Sequence, residues 1–302
     1  MRWLADGSVG AVAGALKEVA PGLEEYPIVV RESVGDDPMW WSASAVVGGR
    51  FVAKFAWSRP AALRLAHEIA VLAALGREPA VSFLPEVVAS STDPVFLVTA
   101  LAPGEALFDV VDSLDRDELG RQLAEFLAEL HGSAGRFDEL PAASMQPAST
   151  DVLREQFVKW ARPDQRAAVI RWCDWSDDVL ATPRPQVLVH GDLHGGNQVW
   201  DDGQLRVVVD FETAGLAEAE YDLRAFPGTG PGVELLTATM RQYGEITGRE
   251  LAVERVMAWH LRTALADALW RSEAGVPLPD HRTPEEWVDD LADRFAALGI
   301  DV

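Results

Sequence analysis

The stretch Val189-His190-Gly191-Asp192-Leu193-His194-Gly195-Gly196-Asn197 runs on through Gln198 to Val207-Val208-Val209-Asp210. Gln186–Val189 ahead of it is an apolar run of strand length, and a glycine-rich loop follows that carries Asp192 five positions before Asn197. Residues 198–210 read strand, Asp202-Gly203 turn, strand. An antiparallel hairpin returns its open ends side by side, so Asn197 at the start and Asp210 at the end meet although they are distant in sequence. Two hard oxygen donors so held suit magnesium, which keeps several waters and takes one or two protein carboxylates besides phosphate oxygens. This stretch alone therefore predicts a magnesium–nucleotide site with Asp192 on the adjoining loop.

Upstream, Tyr26–Glu32, Met39–Val47 and Arg50–Ala56 read as strands, with Gly48-Gly49 as the turn between the second and third. Ser58 offers a helix cap, Pro60 suits the first turn, and Leu65, Ile69 and Leu72 recur at helical spacing up to Gly76. Val95–Ala100 is a further strand, ending at Pro103-Gly104. Beyond it the period becomes helical over 115–131, 151–181, 232–246, 251–273 and 284–298. The expected class is α+β: a small N-terminal lobe with an antiparallel sheet and one main helix, then a larger, mostly helical lobe. The boundary is placed after residue 101, giving lobes of 1–101 and 102–302.

Period two puts Lys54 on one strand face with Val52 and Ala56, and Glu68 falls between Leu72 and Leu75 on the apolar side of the following helix. Opposite charges aimed at one interior pair with each other, because burying either alone is costly. The competing reading is a lysine that snorkels to solvent. Lys17, Lys54 and Lys159 are the only lysines in the chain.

With 302 residues and 48% hydrophobic content, the chain can bury a large core. Cys173 is the sole cysteine, which excludes an intrachain disulfide and a thiolate metal cluster and fits a reducing cytoplasm. The longest apolar stretch, 61–76, is interrupted by Arg64, His67 and Glu68, so no membrane span is expected. A formal charge of −22 repels phosphodiester backbones, so nucleic acid is not an expected partner, whereas a cationic substrate would be attracted. Either a monomer or a homodimer is compatible with the pattern.

His190-Gly191-Asp192-Leu193-His194-Gly195-Gly196-Asn197 followed by Val209-Asp210-Phe211-Glu212 resembles the aminoglycoside phosphotransferase family, which shares the protein-kinase-like bilobal fold. Leu127-Ala128-Glu129-Leu130-His131-Gly132 and Tyr221-Asp222-Leu223 resemble further family features. The resemblance implies Asp192 as catalytic base, Asn197 and Asp210 as magnesium ligands, and a Lys54–Glu68 pair that turns the amine towards the phosphates of ATP or GTP. It also implies a purine-binding hinge at Thr99-Ala100-Leu101. His190 would brace the loop, Asp222 would accept hydrogen bonds from it or cap a helix, and His194 would contact phosphate or pack the loop. Val34–Ser42 has one glycine where protein kinases carry three, so phosphate contacts pass to Ser42 or to backbone amides. Glu212, Glu273 and Asp280 are the carboxylates offered to an acceptor's ammonium groups, the alternative being a solvated acidic face.

These implications describe an O-phosphotransferase acting on a small hydroxylated molecule, an aminoglycoside or another antibiotic. A kinase of a sugar, amino alcohol or nucleoside would use the same chemistry, and a nucleotide-binding scaffold would need no acceptor. Retention of Lys54, Glu68, Asp192, Asn197 and Asp210 together argues against the scaffold.

Overall fold

The computed structural model describes residues 1–31, 38–77, 80–137, 141–143, 149–229, 233–275, 278 and 281–302. In chain order the main elements are α1 (Val9–Val19), β1 (Ile28–Val30), β2 (Ser42–Val47), β3 (Phe51–Ala56), α2 (Arg59–Leu75), β4 (Val87–Thr92) and β5 (Val95–Ala100). Then follow α3 (Arg116–His131), α4 (Pro163–Leu180), β6 (Gln186–Val189), β7 (Gln198–Asp201), β8 (Gln204–Val208), β9 (Gly215–Glu218), α5 (Glu234–Thr247), α6 (Val253–Ala274) and α7 (Pro284–Ala297). They form two compact units. The first comprises Met1–Glu105, Gly135–Asp138 and Asn197–Ala214, and the second comprises Ala106–Ala134, Glu139–Gly196 and Gly215–Val302.

The first unit is built on an antiparallel five-stranded sheet in the order β1-β2-β3-β5-β4. Its two faces have different covers. Ala45, Val47, Ala53, Phe55, Phe96 and Val98 pack with Val12, Ala15 and Leu16 of α1 into one apolar cluster. Lys54 pairs across the strands with Leu97, on the opposite face, which α2 covers. Ser58 caps α2 by accepting the Ala61 N–H, and Pro60 stands in its first turn, where a missing N–H does no harm. The helix brings Glu68, 1% exposed, to the Lys54 face.

Lys54 lies, with Val52 and Ala56 by the alternation of β3, on the face that meets Glu68 of α2. The opposite face lies under α1, a helix with no sequence prediction, because Gly10 and Gly14 depress helix propensity in a short segment that owes its stability to tertiary burial. The expected helix over 151–181 is two segments, since Pro163 cannot continue the preceding helix and instead starts α4 as its first residue.

The second unit is mostly helical. α3 lies close against α5 at Gly120, where a β-carbon would come within 2.8 Å of the Ala238 Cβ and the Thr239 nitrogen. α4, α6 and α7 share a core that includes Phe157, Trp172, Leu261, Leu265 and Phe295. β6 and β9 pair antiparallel, Val189 opposite Gly215, and the chain leaves β6 into the 190–197 loop.

Candidate active site

In the first unit, β7 and β8 form the hairpin expected from Asp202-Gly203, both residues taking the left-handed conformation that the tight turn demands. Gln198 faces Val208, and the Val209 N–H donates to the Asn197 carbonyl at 2.9 Å. Asn197 and Asp210 therefore stand together at the open end. Asp210 itself is left-handed, at φ 73°, a conformation that aspartate tolerates better than most residues.

Lys54 connects this end to the sheet and to α2. Its Nζ donates to both Glu68 carboxylate oxygens, at 2.7 and 2.9 Å, and to Asp210 Oδ1 at 3.0 Å. The Phe211 N–H donates to Glu68 Oε1 at 3.3 Å. Burial alone would lower the Lys54 pKa, but the Glu68 and Asp210 carboxylates outweigh it and hold the amine above its ordinary value. Burial pushes the Glu68 carboxyl up, Lys54 opposes that, and nearby Asp210 adds to it.

Glu212 joins the same neighbourhood. Arg64 of α2 donates its Nε to Glu212 Oε1 at 3.1 Å and lies 4.9 Å from the Trp40 ring centroid. Burial, with Asp210 adding to it, pushes the Glu212 carboxyl up to about 7 against the pull of Arg64 and Lys54. Arg64 was missed in the sequence, where it looked like an interruption of an apolar run. Its buried Nη2 has no hydrogen-bond partner among the described residues.

In the second unit, Asp192 lies on a loop held from beneath by Asp222. The Asp222 carboxylate is fully buried and accepts the His190 N–H on Oδ2 and the Gly191 N–H on Oδ1, both at 2.9 Å. His131 Nε2 lies 3.2 Å from Oδ2, and its Nδ1 lies 3.0 Å from the Tyr243 hydroxyl. A carboxylate only accepts, so His131 donates to Asp222 from Nε2. Burial works against the Asp222 charge, but His131, His190 and the Gly191 amide together keep its pKa below the ordinary value. The Asp222 carboxylate thus ties down the backbone of residues 190 and 191.

His190 is buried, and its Nδ1 accepts the Asp192 N–H at 3.2 Å. His194 accepts the Gly196 N–H on Nδ1 at 3.0 Å, stacks on Phe108 with ring centroids 5.9 Å apart, and sets Nε2 3.6 Å from Asp192 Oδ2. Those contacts are of the loop-packing kind.

The remaining expected residues lie as follows. Ser42 opens β2 opposite Ala56, and Thr99 faces Val52 on β5. Leu101 donates its N–H to the Arg50 carbonyl at 2.8 Å. Glu273 is exposed in the last turn of α6, and no hydrogen bond or ion pair joins it to the 190–197 loop among the described residues. Asp280 lies outside the described residues, as does 32–37 of the expected phosphate-covering segment. A cavity of about 500 Å³ lined by Ile69, Leu72, Phe83 and Leu97 contains none of the candidate side chains.

A family profile described as the phosphotransferase enzyme family, abbreviated APH, matches residues 35–266. The chain belongs to that family. Among solved structures, this phosphotransferase-family chain is similar to the GDP complex of aminoglycoside 2'-phosphotransferase-IIIa. The two are 18% identical, with a TM-score of 0.70 over 95% of this chain and 98% of that one. Spectinomycin phosphotransferase in complex with ADP and spectinomycin gives 14% identity and a TM-score of 0.64, over 95% of this chain and 94% of that one. The macrolide 2'-phosphotransferase of Brachybacterium faecium gives 20% and 0.58, over 94% and 97%. These likenesses give the chain the aminoglycoside-phosphotransferase fold. A search of curated protein sequences found no match.

Proposed function

We propose that this phosphotransferase-family chain transfers the γ-phosphate of ATP or GTP to a hydroxyl group of an antibiotic, an aminoglycoside or a compound of similar size. The observation that carries the reading is the Lys54 ammonium, which bridges Glu68 on α2 and Asp210 at the hairpin end. Phosphoryl transfer depends on positioning and charge neutralisation rather than covalent chemistry. A fixed amine beside a partly exposed carboxylate supplies both for a triphosphate. ADP and GDP in the similar structures support a purine nucleotide as the donor.

Asn197 and Asp210 offer oxygen donors at one place, and no group of three or more His, Cys, Asp or Glu suited to a metal occurs among the described residues. That sparse donor set fits magnesium, which fills its remaining positions with water and phosphate oxygens. When bound there it would neutralise charge on the phosphates. Asp192 orients the acceptor hydroxyl and takes its proton, His190 and Asp222 fix the loop, and Thr99 and Leu101 lie where the purine meets the chain. Ser42 is the phosphate contact, and Glu212 and Glu273 remain the described carboxylates for an acceptor's ammonium groups. The functional division is proposed as 1–101 for the nucleotide and 102–302 for catalysis and the acceptor. No described helix is long and apolar enough to cross a membrane, and we place the enzyme in the cytoplasm.

The test is a panel of aminoglycosides, spectinomycin, macrolides, sugars, amino alcohols and nucleosides with MgATP and with MgGTP. Nucleotide turnover and the mass of the phosphorylated product are the readouts. Turnover stimulated by an antibiotic is expected. Stimulation by metabolites alone would replace the substrate class, and nucleotide binding without any acceptor-stimulated turnover would replace the enzyme by a scaffold.

A further inference from the structure

Gly191 lies at φ 83°, and side chains of one 3-10 helical stretch, Ala219–Gly228, hold both polar groups of its backbone. Its N–H donates to Asp222, as described, and its carbonyl accepts Arg224 Nη2 at 2.6 Å. The Arg224 side chain is 4% exposed. It is seated by a second hydrogen bond, from Nη1 to the Tyr221 carbonyl at 3.0 Å, and by the Tyr221 ring, whose centroid is 3.9 Å from the guanidinium carbon. The same Nη2 lies 3.9 Å from Asp192 Oδ1. One planar guanidinium thus touches the peptide before Asp192, flanks its carboxylate and rests on an aromatic face, a combination that an ammonium does not reproduce.

A glycine free to rotate would let Asp192 swing, but this one is gripped at N–H and carbonyl. The grip transmits to the next residue, because the carbonyl of Gly191 and the nitrogen of Asp192 share one rigid peptide plane. A buried guanidinium is costly unless its charge is met, and Asp192 is the carboxylate within ion-pair reach of it among the described residues.

We propose that Arg224 is a positioning residue that aims the Asp192 carboxylate, acting through the Gly191 carbonyl and through its own charge. This rests on the reading of Asp192 as the base. Arg224 touches neither nucleotide nor acceptor in this role, so its loss lowers kcat and leaves KM for both substrates unchanged. A misplacement of about 1 Å costs on the order of 10²-fold in rate, and Arg224→Met should fall about that far while Arg224→Lys recovers part of the loss.

The deciding experiment is a kinetic double-mutant cycle of Arg224→Met and Asp192→Asn, read with γ-labelled ATP or GTP and whichever acceptor turns over in the panel above. Unfolding midpoints of every variant are measured alongside, and Arg224→Gln takes the place of the methionine variant if that one does not fold. If Arg224 works by aiming Asp192, adding Arg224→Met to Asp192→Asn lowers kcat little further. Multiplicative losses, or a rise in nucleotide KM matching the fall in kcat, would overturn the positioning role and leave the base reading intact. Full transfer by Asp192→Asn, or no turnover with any acceptor, would remove the base reading and this inference with it.

Discussion

Replacing Lys54 with methionine tests the charge cluster in isolation. Methionine keeps much of the volume but removes every donor that Lys54 gives to Glu68 and Asp210, whose side chains are 2% and 38% exposed. Asp210 can turn to water. Glu68 cannot, and is left with the Phe211 N–H at 3.3 Å. Stripping one partner from a buried ion pair costs about 3–5 kcal/mol. The reverse change, Glu68→Gln, is milder at about 1.5–3 kcal/mol, the worth of a hydrogen bond to a charged group, because Lys54 keeps Asp210 and is itself 24% exposed. Urea unfolding of the nucleotide-free protein should therefore rank Lys54→Met well below Glu68→Gln, with the double variant less destabilised than the sum.

The pH dependence has a definite sign. Burial already raises the Glu68 pKa, and without Lys54 the native state binds a proton there at a pH where the unfolded chain does not. Acid then favours the native variant, so the deficit of Lys54→Met narrows as pH falls and widens as it rises. Equal single effects, simple additivity, or a deficit that grows in acid would refute the buried-pair account.

Further outcomes follow from other parts of the molecule. Asp192→Asn should bind nucleotide as the parent does while transfer drops about 10²–10⁴-fold, measured by calorimetry and by the acceptor assay. Asp210→Ala should weaken binding of the magnesium–nucleotide complex, and an unchanged Kd would remove its assigned role. Gly120→Ala drives a β-carbon into the Thr239 backbone at 2.8 Å and should cost about 1–3 kcal/mol. Gly14→Ala, with nothing within 4 Å, should stabilise α1 by up to about 1 kcal/mol; thermal scans read both. Cys173 is buried, which pushes its thiol up to about 11. Iodoacetamide at neutral pH should leave it intact in the native protein and label it once the chain is unfolded.

Much of this was legible because local patterns carried it. Asp202-Gly203 marks the hairpin with the chemistry of its own turn, and Ser58 with Pro60 marks the start of α2. What was hidden depended on tertiary partners. Arg64 and Arg224 each look like an ordinary surface cation until folding sets one against Glu212 and the other against the Gly191 carbonyl. Glu212 was read as an acceptor contact, and its place beside Arg64 and Asp210 depends on how α2 packs. Val87–Thr92 escaped notice because its alternation is weak: it is an edge strand, largely exposed. The helix α1, rich in small residues, gave no strong periodic signal.

The helix α1 also bears on how the protein can be shortened. Similarity to the family begins at residue 35, so a gene trimmed to the matched span would omit Leu4, Val12, Ala15 and Leu16, which cover Phe55, Phe96 and Val98. The apolar sheet face so opened to water, Phe55 and Phe96 included, is the kind of surface on which neighbouring molecules associate. Such a trimmed product belongs in inclusion bodies rather than in the soluble fraction, whatever the condition of its catalytic residues.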